Sequence, residues 1–184
     1  QKTGWIGFDL GATSVKVAQV VRTDAGPRLR AAAIVPRTER WSLAALSEGR
    51  PRSSADEMQA SASLCQRLSG SHAATVLPAA VCDLVQMDAP AAKRSGPADL
   101  LRAVEAEIHR PLRDRVVDSW PVSLQPGKIN VVAAPRAWSD QVSADVAAIG
   151  CNCRVIDALP WALARAATLV SNVETLAHLP FILR

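Results

Sequence analysis

Hydrophobic and polar positions alternate along the first part of the chain. Residues 5–10 predict a strand that stops at Gly11, residues 15–22 predict a second strand, and residues 28–35 predict a third. The short segment 11–14 between the first two strands predicts a tight hairpin. We therefore expect the chain to begin with three consecutive antiparallel strands.

Helical and extended patterns then follow one another to the end of the chain. The periodicity predicts a helix at about 56–69 whose apolar face carries Met58, Ala62, Cys65 and Leu68. Further helices are predicted at 97–109, 138–149 and 159–170, and further strands at 73–77, 81–87, 116–124, 128–134 and 153–158. Segment 36–55 is rich in Pro, Arg, Ser and Gly and predicts an exposed loop. The order βββαββαββαβα indicates an α/β or α+β architecture.

Composition and charge exclude several classes of protein. Apolar residues make up 49% of the 184 residues and charged residues 21%, which is typical of a globular chain. The net charge is +4, and segment 28–52, with six Arg against two Glu, accounts for all of it. The rest is balanced, so no basic field favours nucleic acid. We interpret the Arg-rich segment as a solvated loop, with contact to phospholipid headgroups as the alternative.

Targeting signals and clustered ligand residues are also absent from the sequence. No apolar run is long enough to cross a membrane, and the first residues lack the apolar core of a signal peptide. Four Cys are too few for a disulfide scaffold, which favours a soluble protein of a reducing compartment. Cys151 and Cys153 are separated by one residue, less than the usual spacing of zinc ligands, and are interpreted as buried thiols.

The candidate chemistry lies in the first hairpin. A buried strand ends at Asp9, a turn follows with Gly11, Ala12, Thr13 and Ser14, and the next strand carries Lys16. Gly11 permits close approach or a positive φ angle, and consecutive N–H groups of the turn can form an anion-binding nest. Asp9 can orient a hydrated Mg²⁺, and Lys16 can contact a phosphate. The alternative is an ordinary hairpin without a ligand.

This motif resembles the first phosphate loop of the actin-like ATPase superfamily, and later segments resemble its PilM branch, which assembles type IV pili. The PilM-like segments are Glu105-Ala106-Glu107, Pro111, Val116-Val117-Asp118, Arg154-Val155-Ile156-Asp157 and Ala162-Leu163-Ala164-Arg165-Ala166. The resemblance covers about residues 4–170. It implies an α/β, actin-like (ribonuclease H-like) subdomain 1A at 1–78, an inserted 1C-like α+β subdomain at 79–150, and a return to 1A at 151–184.

One departure concerns the second half of the actin-like fold. Residues 171–184 contain neither the second acid–glycine phosphate loop nor the glycine-rich adenosine pocket of the superfamily. We interpret the chain either as a truncated protein or as one that has lost nucleotide binding. The related cytoplasmic domain of GspL would exemplify such a loss, although its loop usually lacks the Asp-x-Gly-x-x-Ser pattern that this chain keeps.

The resemblance also implies a function. It indicates a cytoplasmic adaptor at the inner face of the cell membrane that binds other platform proteins of a pilus or type II secretion machine. In that family, an N-terminal peptide of the membrane protein PilN docks in a groove between 1A and the inserted subdomain. ATP with Mg would bind at Asp9, residues 11–14 and Lys16 as a structural ligand, and no catalytic residue is expected. The alternatives are a sugar or small-molecule kinase and an FtsA-like filament-forming protein.

One strand of the inserted region is a further candidate. Trp120, Val122 and Leu124 alternate, so they share one face of the predicted strand 116–124. That face either packs on the helix 97–109 or leaves an apolar side beside an edge to which a partner peptide can add.

Overall fold

A computed structural model describes residues 2–42, 53–89, 96–122 and 125–171. The strands are β1 (Lys2–Leu10), β2 (Ser14–Thr23), β3 (Gly26–Pro36), β4 (His72–Leu77), β5 (Asp83–Asp88), β6 (Arg115–Pro121), β7 (Lys128–Pro135) and β8 (Asn152–Ala158). The helices are α1 (Ala55–Cys65), α2 (Pro97–Ile108), α3 (Arg136–Ala148) and α4 (Leu159–Ser171), with a short 3₁₀ helix at Ala79–Val81. This order confirms the succession of strands and helices predicted from the sequence. No helix of the described segments is long and apolar enough to cross a membrane.

The chain divides into two compact units. The first contains Gln1–Pro78 and Asp140–Arg184, and the second contains Ala79–Ser139. Helix α3 begins in the second unit and continues into the first.

The first unit is built on a five-stranded sheet with the order β3-β2-β1-β4-β8. Strand β1 pairs antiparallel with β2, and β2 pairs antiparallel with β3, which confirms the predicted three-stranded start. Strands β1, β4 and β8 run parallel to one another. Alternate residues Ile6, Phe8 and Leu10 of β1 are buried, as the period of a strand requires.

Helix α1 buries a different face from the predicted one. Its fully buried residues are Glu57, Ser61 and Cys65, whereas Met58 and Ala62 of the predicted stripe are only half-buried, so the buried face is rotated from the predicted one. Ser54 caps the helix, because its Oγ accepts a hydrogen bond from the Glu57 N–H at 3.2 Å while the Glu57 Oε2 accepts one from the Ser54 N–H at 3.1 Å. The buried face of α1 is therefore polar at its first turn.

The second unit is a three-stranded antiparallel sheet, with the order β5-β7-β6, and helix α2. Its buried core is Val104, Leu112, Val131 and Ala133, and the side chains packed against this core include Val85, Met87 and Val117. Trp120 pairs with Asn130 in the ladder and lies on the opposite face from Val117. The interpretation that the Trp120 face packs on this helix is therefore wrong. Val122 follows the end of β6, and Leu124 lies outside the described residues.

Candidate anion-binding site

The structure brings two charged residues of the predicted site together at the turn end of the first hairpin. Asp9 and Lys16 are directly opposite each other in the β1–β2 ladder. The Lys16 Nζ donates to the Asp9 Oδ2 at 2.6 Å, with half of the Lys16 side chain and a third of the Asp9 side chain exposed. Ser14 is buried and lies on the same face as Lys16, whereas Thr13 is exposed. A positive and a negative group thus flank the turn at 11–14.

Gly11 acts through its missing side chain and not through an unusual backbone conformation. Among the described residues, the glycines with positive φ are Gly26, Gly70, Gly127 and Gly150, so of the two possibilities at Gly11, close approach and positive φ, the structure has the first. A Cβ atom placed on Gly11 would lie 3.2 Å from the Ser14 carbonyl oxygen and 3.5 Å from the Asp9 Oδ1. It would also lie 3.8 Å from the Lys16 Nζ. Glycine therefore leaves open the space on which the charged side chains converge.

The carbonyl groups of the turn all accept hydrogen bonds from one later segment. The Gly11 carbonyl accepts from the Arg37 Nε at 2.6 Å, and the Thr13 carbonyl accepts from the Arg37 backbone N–H at 3.0 Å. The Ala12 carbonyl accepts from the Trp41 N–H at 2.9 Å. Three consecutive carbonyls are thus directed toward residues 37–41.

The N–H groups of the same peptide units consequently point the other way. In a trans peptide the C=O and the following N–H are antiparallel, and the structure has no cis peptide bond. The N–H groups of Ala12, Thr13 and Ser14 therefore face away from Arg37 and Trp41. Among the described residues, the amides of Ala12 and Thr13 have no hydrogen-bond acceptor. Consecutive amides directed to one side are the arrangement that binds anions in nests.

Arg37 joins this turn to helix α1 through a buried ion pair. Its Nη1 donates to the Glu57 Oε2 at 2.7 Å, and both side chains are buried. The Glu57 Oε1 accepts from the Thr38 N–H at 2.9 Å. The Arg37 guanidinium carbon also lies 3.5 Å from the centroid of the Trp41 ring. The interpretation of Arg37 as part of a solvated Arg cluster is therefore wrong, while Arg28, Arg30 and Arg40 are exposed.

A second carboxylate lies at the same end of the sheet. Asp157 is near the carboxyl end of β8, and its side chain forms an ion pair with Arg165 of α4 and accepts a hydrogen bond from the Ala158 N–H at 2.8 Å. Asp9 is near the carboxyl end of β1, which runs parallel to β4 and through it to β8. Sequence reasoning noted the segment around Asp157 only as a family resemblance. The available signal was an acid near the end of the predicted strand 153–158.

The cysteines form no ligand set in the part of the chain that the structure describes. All four are free thiols, and no group of three or more His, Cys, Asp or Glu among the described residues could hold a metal ion. Burial raises the pKa of Cys65 to about 12, with a smaller contribution from neighbouring Cys151, and burial raises the pKa of Cys82 to about 11. Raised pKa values make these thiols poor nucleophiles near neutral pH.

The similarity of this chain to known proteins lies in its fold. No family profile and no curated protein matches the chain. Its fold is shared by several solved structures. A chain of a PilM–PilN type IV pilus biogenesis complex is 23% identical, with a TM-score of 0.62 over 89% of this chain and 50% of its own. The cytoplasmic domain of EpsL, an inner membrane component of the type II secretion system of Vibrio cholerae, is 14% identical, with a TM-score of 0.58 over 84% of this chain and 56% of its own.

This likeness defines the fold class. The chain is an α/β protein with the actin-like subdomain and inserted α+β subdomain predicted from the sequence, and that prediction is confirmed. It shares this fold with the chain of the PilM–PilN complex and with EpsL. The chain spans about half the length of those solved chains.

Proposed function

We propose that the protein is a PilM-like adaptor that works in the cytoplasm, at the inner face of the cell membrane, in a type IV pilus or related type II secretion machine. The observation that carries the proposal is the likeness to a chain of a PilM–PilN complex over 89% of this chain. The EpsL likeness supports the same class of machine. The partners would be other platform proteins and the N-terminal peptide of a PilN-like membrane protein, with no nucleic acid.

The backbone of the second unit favours one sheet edge over the other as the peptide site. In an antiparallel ladder, each residue directs its N–H and C=O either to its partner or away from it, in alternation. The Val122 N–H donates to the Lys128 carbonyl at 3.0 Å, and the Arg136 N–H to the Asp114 carbonyl at 2.9 Å. Even-numbered residues of β6 therefore bond to β7, and odd-numbered residues face outward.

The outward edge of β6 offers few free donors. The Arg115 N–H donates to the Leu112 carbonyl at 3.0 Å, and the Ser119 N–H donates to the Asp118 Oδ1 at 2.8 Å. Pro121 has no N–H. Of the outward-facing residues of β6, Val117 alone has an N–H that does not donate to one of these acceptors. Such features protect an edge strand from further pairing, so β6 is a poor peptide site.

The outward edge of β5 offers a longer row of N–H and C=O groups to a partner strand. The Ala89 N–H donates to the Gly127 carbonyl at 2.7 Å, so the alternation directs the N–H and C=O groups of Leu84, Gln86 and Asp88 away from β7. No proline interrupts this edge, and no described strand pairs with it. We propose that the extended partner peptide adds to β5 and that its backbone supplies the hydrogen bonds.

Two matched proline variants test this site. Gln86→Pro removes an outward N–H from β5, and Val117→Pro removes one from β6, so each edge loses one donor while the bonds to β7 remain. Binding of the N-terminal peptide of a PilN-like protein from the same organism is measured by titration calorimetry at matched folded fractions. We expect Gln86→Pro to weaken binding about tenfold or more and Val117→Pro to change it less than about twofold.

The outcomes separate the location from the function. Loss of binding in Val117→Pro alone would move the peptide to β6, and equal binding in both variants would move it away from these edges. A peptide concentration near 1 mM is high enough to detect even weak binding. If the unaltered chain does not bind the peptide at that concentration, the adaptor function itself is contradicted.

We also propose that ATP with Mg²⁺ binds at the 11–14 turn as a structural ligand and is not turned over. The amides of residues 12–14 and Lys16 would contact phosphate, and Asp9 would orient the hydrated metal. The space that Gly11 leaves beside these groups supports the fit. The test is calorimetric titration with Mg²⁺-ATP, in which Gly11→Val should weaken binding and Gly7→Val should not. Steady release of phosphate that Asp9→Asn abolishes would contradict the absence of turnover.

A further inference from the structure

The Arg37 side chain contacts two structural elements, the turn at 11–14 and helix α1. Its Nε reaches the Gly11 carbonyl at 2.6 Å and its Nη1 reaches the Glu57 Oε2 at 2.7 Å. A planar guanidinium can donate in two fixed directions at once, whereas the single ammonium group of lysine cannot reproduce that fork. The direction of the Gly11 carbonyl is therefore linked to the position of Glu57 in the first turn of α1.

We propose that Arg37 is a positioning residue of the anion site, and this inference rests on the proposed nucleotide site at residues 11–14. Arg37 lies on the carbonyl side of the turn and so does not contact the ligand. Its Nε holds the Gly11 carbonyl and so directs the Ala12 amide to the opposite side, while the backbone N–H of residue 37 does the same for the Ser14 amide through the Thr13 carbonyl. The Trp41 N–H does the same for the Thr13 amide through the Ala12 carbonyl. The ligand would thus meet amides that are already aligned, which lowers the cost of binding.

The Glu57 carboxylate fixes the orientation of the Arg37 guanidinium, because it accepts a hydrogen bond from Nη1 while Nε donates to the turn. It accepts hydrogen bonds from Arg37, from the Thr38 N–H at 2.9 Å and from the Ser54 N–H at 3.1 Å. The carboxylate is thereby held by the capping box of α1 as well as by the end of β3. The Arg37 side chain consequently has one orientation in which it donates to both the Glu57 carboxylate and the Gly11 carbonyl.

The deciding variant is Arg37→Lys, with Arg115→Lys as the matched control. Arg115 also pairs with a carboxylate, that of Asp83, and donates to a backbone carbonyl, that of Ala133 at 2.9 Å, but it lies in the second unit. Affinity for Mg²⁺-ATP and for pyrophosphate is measured by calorimetry on the full chain. Amide shifts of residues 12–14 are followed by NMR, and thermal unfolding is recorded for each variant.

We expect Arg37→Lys to weaken the binding of both ligands about tenfold and to shift the Ala12 amide signal most, before any ligand is added. Arg115→Lys should be destabilised to a similar degree while its affinity stays within about twofold of the original. Equal losses of ligand affinity in the two variants would show that Arg37 only stabilises the fold, and would overturn the inference. So would an unchanged affinity in folded Arg37→Lys.

Failure of the nucleotide proposal has a different signature. If the unaltered chain binds neither Mg²⁺-ATP nor pyrophosphate, the anion site is overturned and the role of Arg37 with it. If Arg37→Lys does not fold, Glu57→Gln decides, because it removes the charge opposite Arg37 and keeps an oxygen for the Thr38 N–H. Its affinity should fall at least about threefold, and an unchanged value overturns the inference.

Discussion

Arg37 and Glu57 form an ion pair of 2.7 Å between Nη1 and Oε2 in the interior of the first unit, with side-chain exposures of 0% and 5%. Arg37 follows the end of β3, and Glu57 lies in the first turn of α1. Taking two charges out of water is expensive, so each depends on the other for compensation. This pair therefore links the stability of the first unit to the geometry of the candidate site.

Removal of one partner should be far more damaging than loss of the helix cap beside it. Glu57→Ala leaves the Arg37 charge buried without its carboxylate, and we expect the free energy of unfolding to fall by about 3–5 kcal/mol. Ser54→Ala removes only the side-chain cap of α1 and should cost about 1 kcal/mol. Urea unfolding followed by circular dichroism measures both. Similar costs for the two variants would show that the ion pair contributes little beyond the cap.

The same pair explains what the sequence alone did not reveal. Counting charges places an arginine-rich segment in solvent, because most arginines are exposed and 20 residues separate Arg37 from Glu57. The helix face was misassigned for a related reason. An apolar stripe through Met58 predicts the wrong rotation when the helix buries Glu57 and Ser61 through polar contacts, which periodicity does not detect.

Elements with ordinary apolar patterns were predicted well. Trp138, Val142, Val146 and Ile149 are all buried, as the period of helix α3 indicates. The first hairpin was equally clear, because alternation on both strands fixes the register that brings Asp9 opposite Lys16. The contacts of the turn carbonyls with residues 37–41 depend on tertiary structure, so no local pattern contains them.

Two glycines of β1 should respond differently to alanine. A Cβ on Gly4 would lie 2.9 Å from the Val20 carbonyl oxygen, whereas a Cβ on Gly7 would lie 3.6 Å from the Ala18 carbonyl oxygen. Gly4→Ala must therefore displace backbone, and we expect it to cost about 1–3 kcal/mol of unfolding free energy. Gly7→Ala meets only ordinary contact and should cost less than about 0.5 kcal/mol. Thermal or urea unfolding decides, and equal costs would contradict the close approach at Gly4.

Stability should decrease in alkaline solution because of the Cys65 thiol. Burial raises the pKa of Cys65 from 9.0 to about 12, so above pH 9 the unfolded chain loses a proton that the folded chain keeps. The unfolded state then binds fewer protons, and the free energy of unfolding falls as pH rises. Between about pH 8 and pH 10 this group should account for a loss of about 1 kcal/mol.

The control for this alkaline effect is Cys65→Ala, which has no thiol to titrate. Urea unfolding under reducing conditions should show a smaller loss from about pH 8 to pH 10 in Cys65→Ala than in the unaltered chain. The half-buried Cys82, with a pKa of about 11, remains in both proteins and contributes equally. Parallel pH profiles for the two proteins would show that Cys65 is not the group responsible.

His109 supplies the last prediction, because it ends helix α2 in a left-handed conformation with φ 54° and ψ 36°. It is the one described residue other than glycine with a positive φ. Side chains with a Cβ are strained there, whereas glycine is not, so His109→Gly should raise the free energy of unfolding by about 0.5–1 kcal/mol.

The matched change is Glu107→Gly two residues earlier, inside the same helix, where glycine should cost about 1 kcal/mol. Urea unfolding of the full chain, followed by the fluorescence of its tryptophans, measures both variants. Opposite signs are expected because the two positions differ in backbone conformation. A loss of stability in His109→Gly would mean that the imidazole contributes more at the helix end than the left-handed conformation costs.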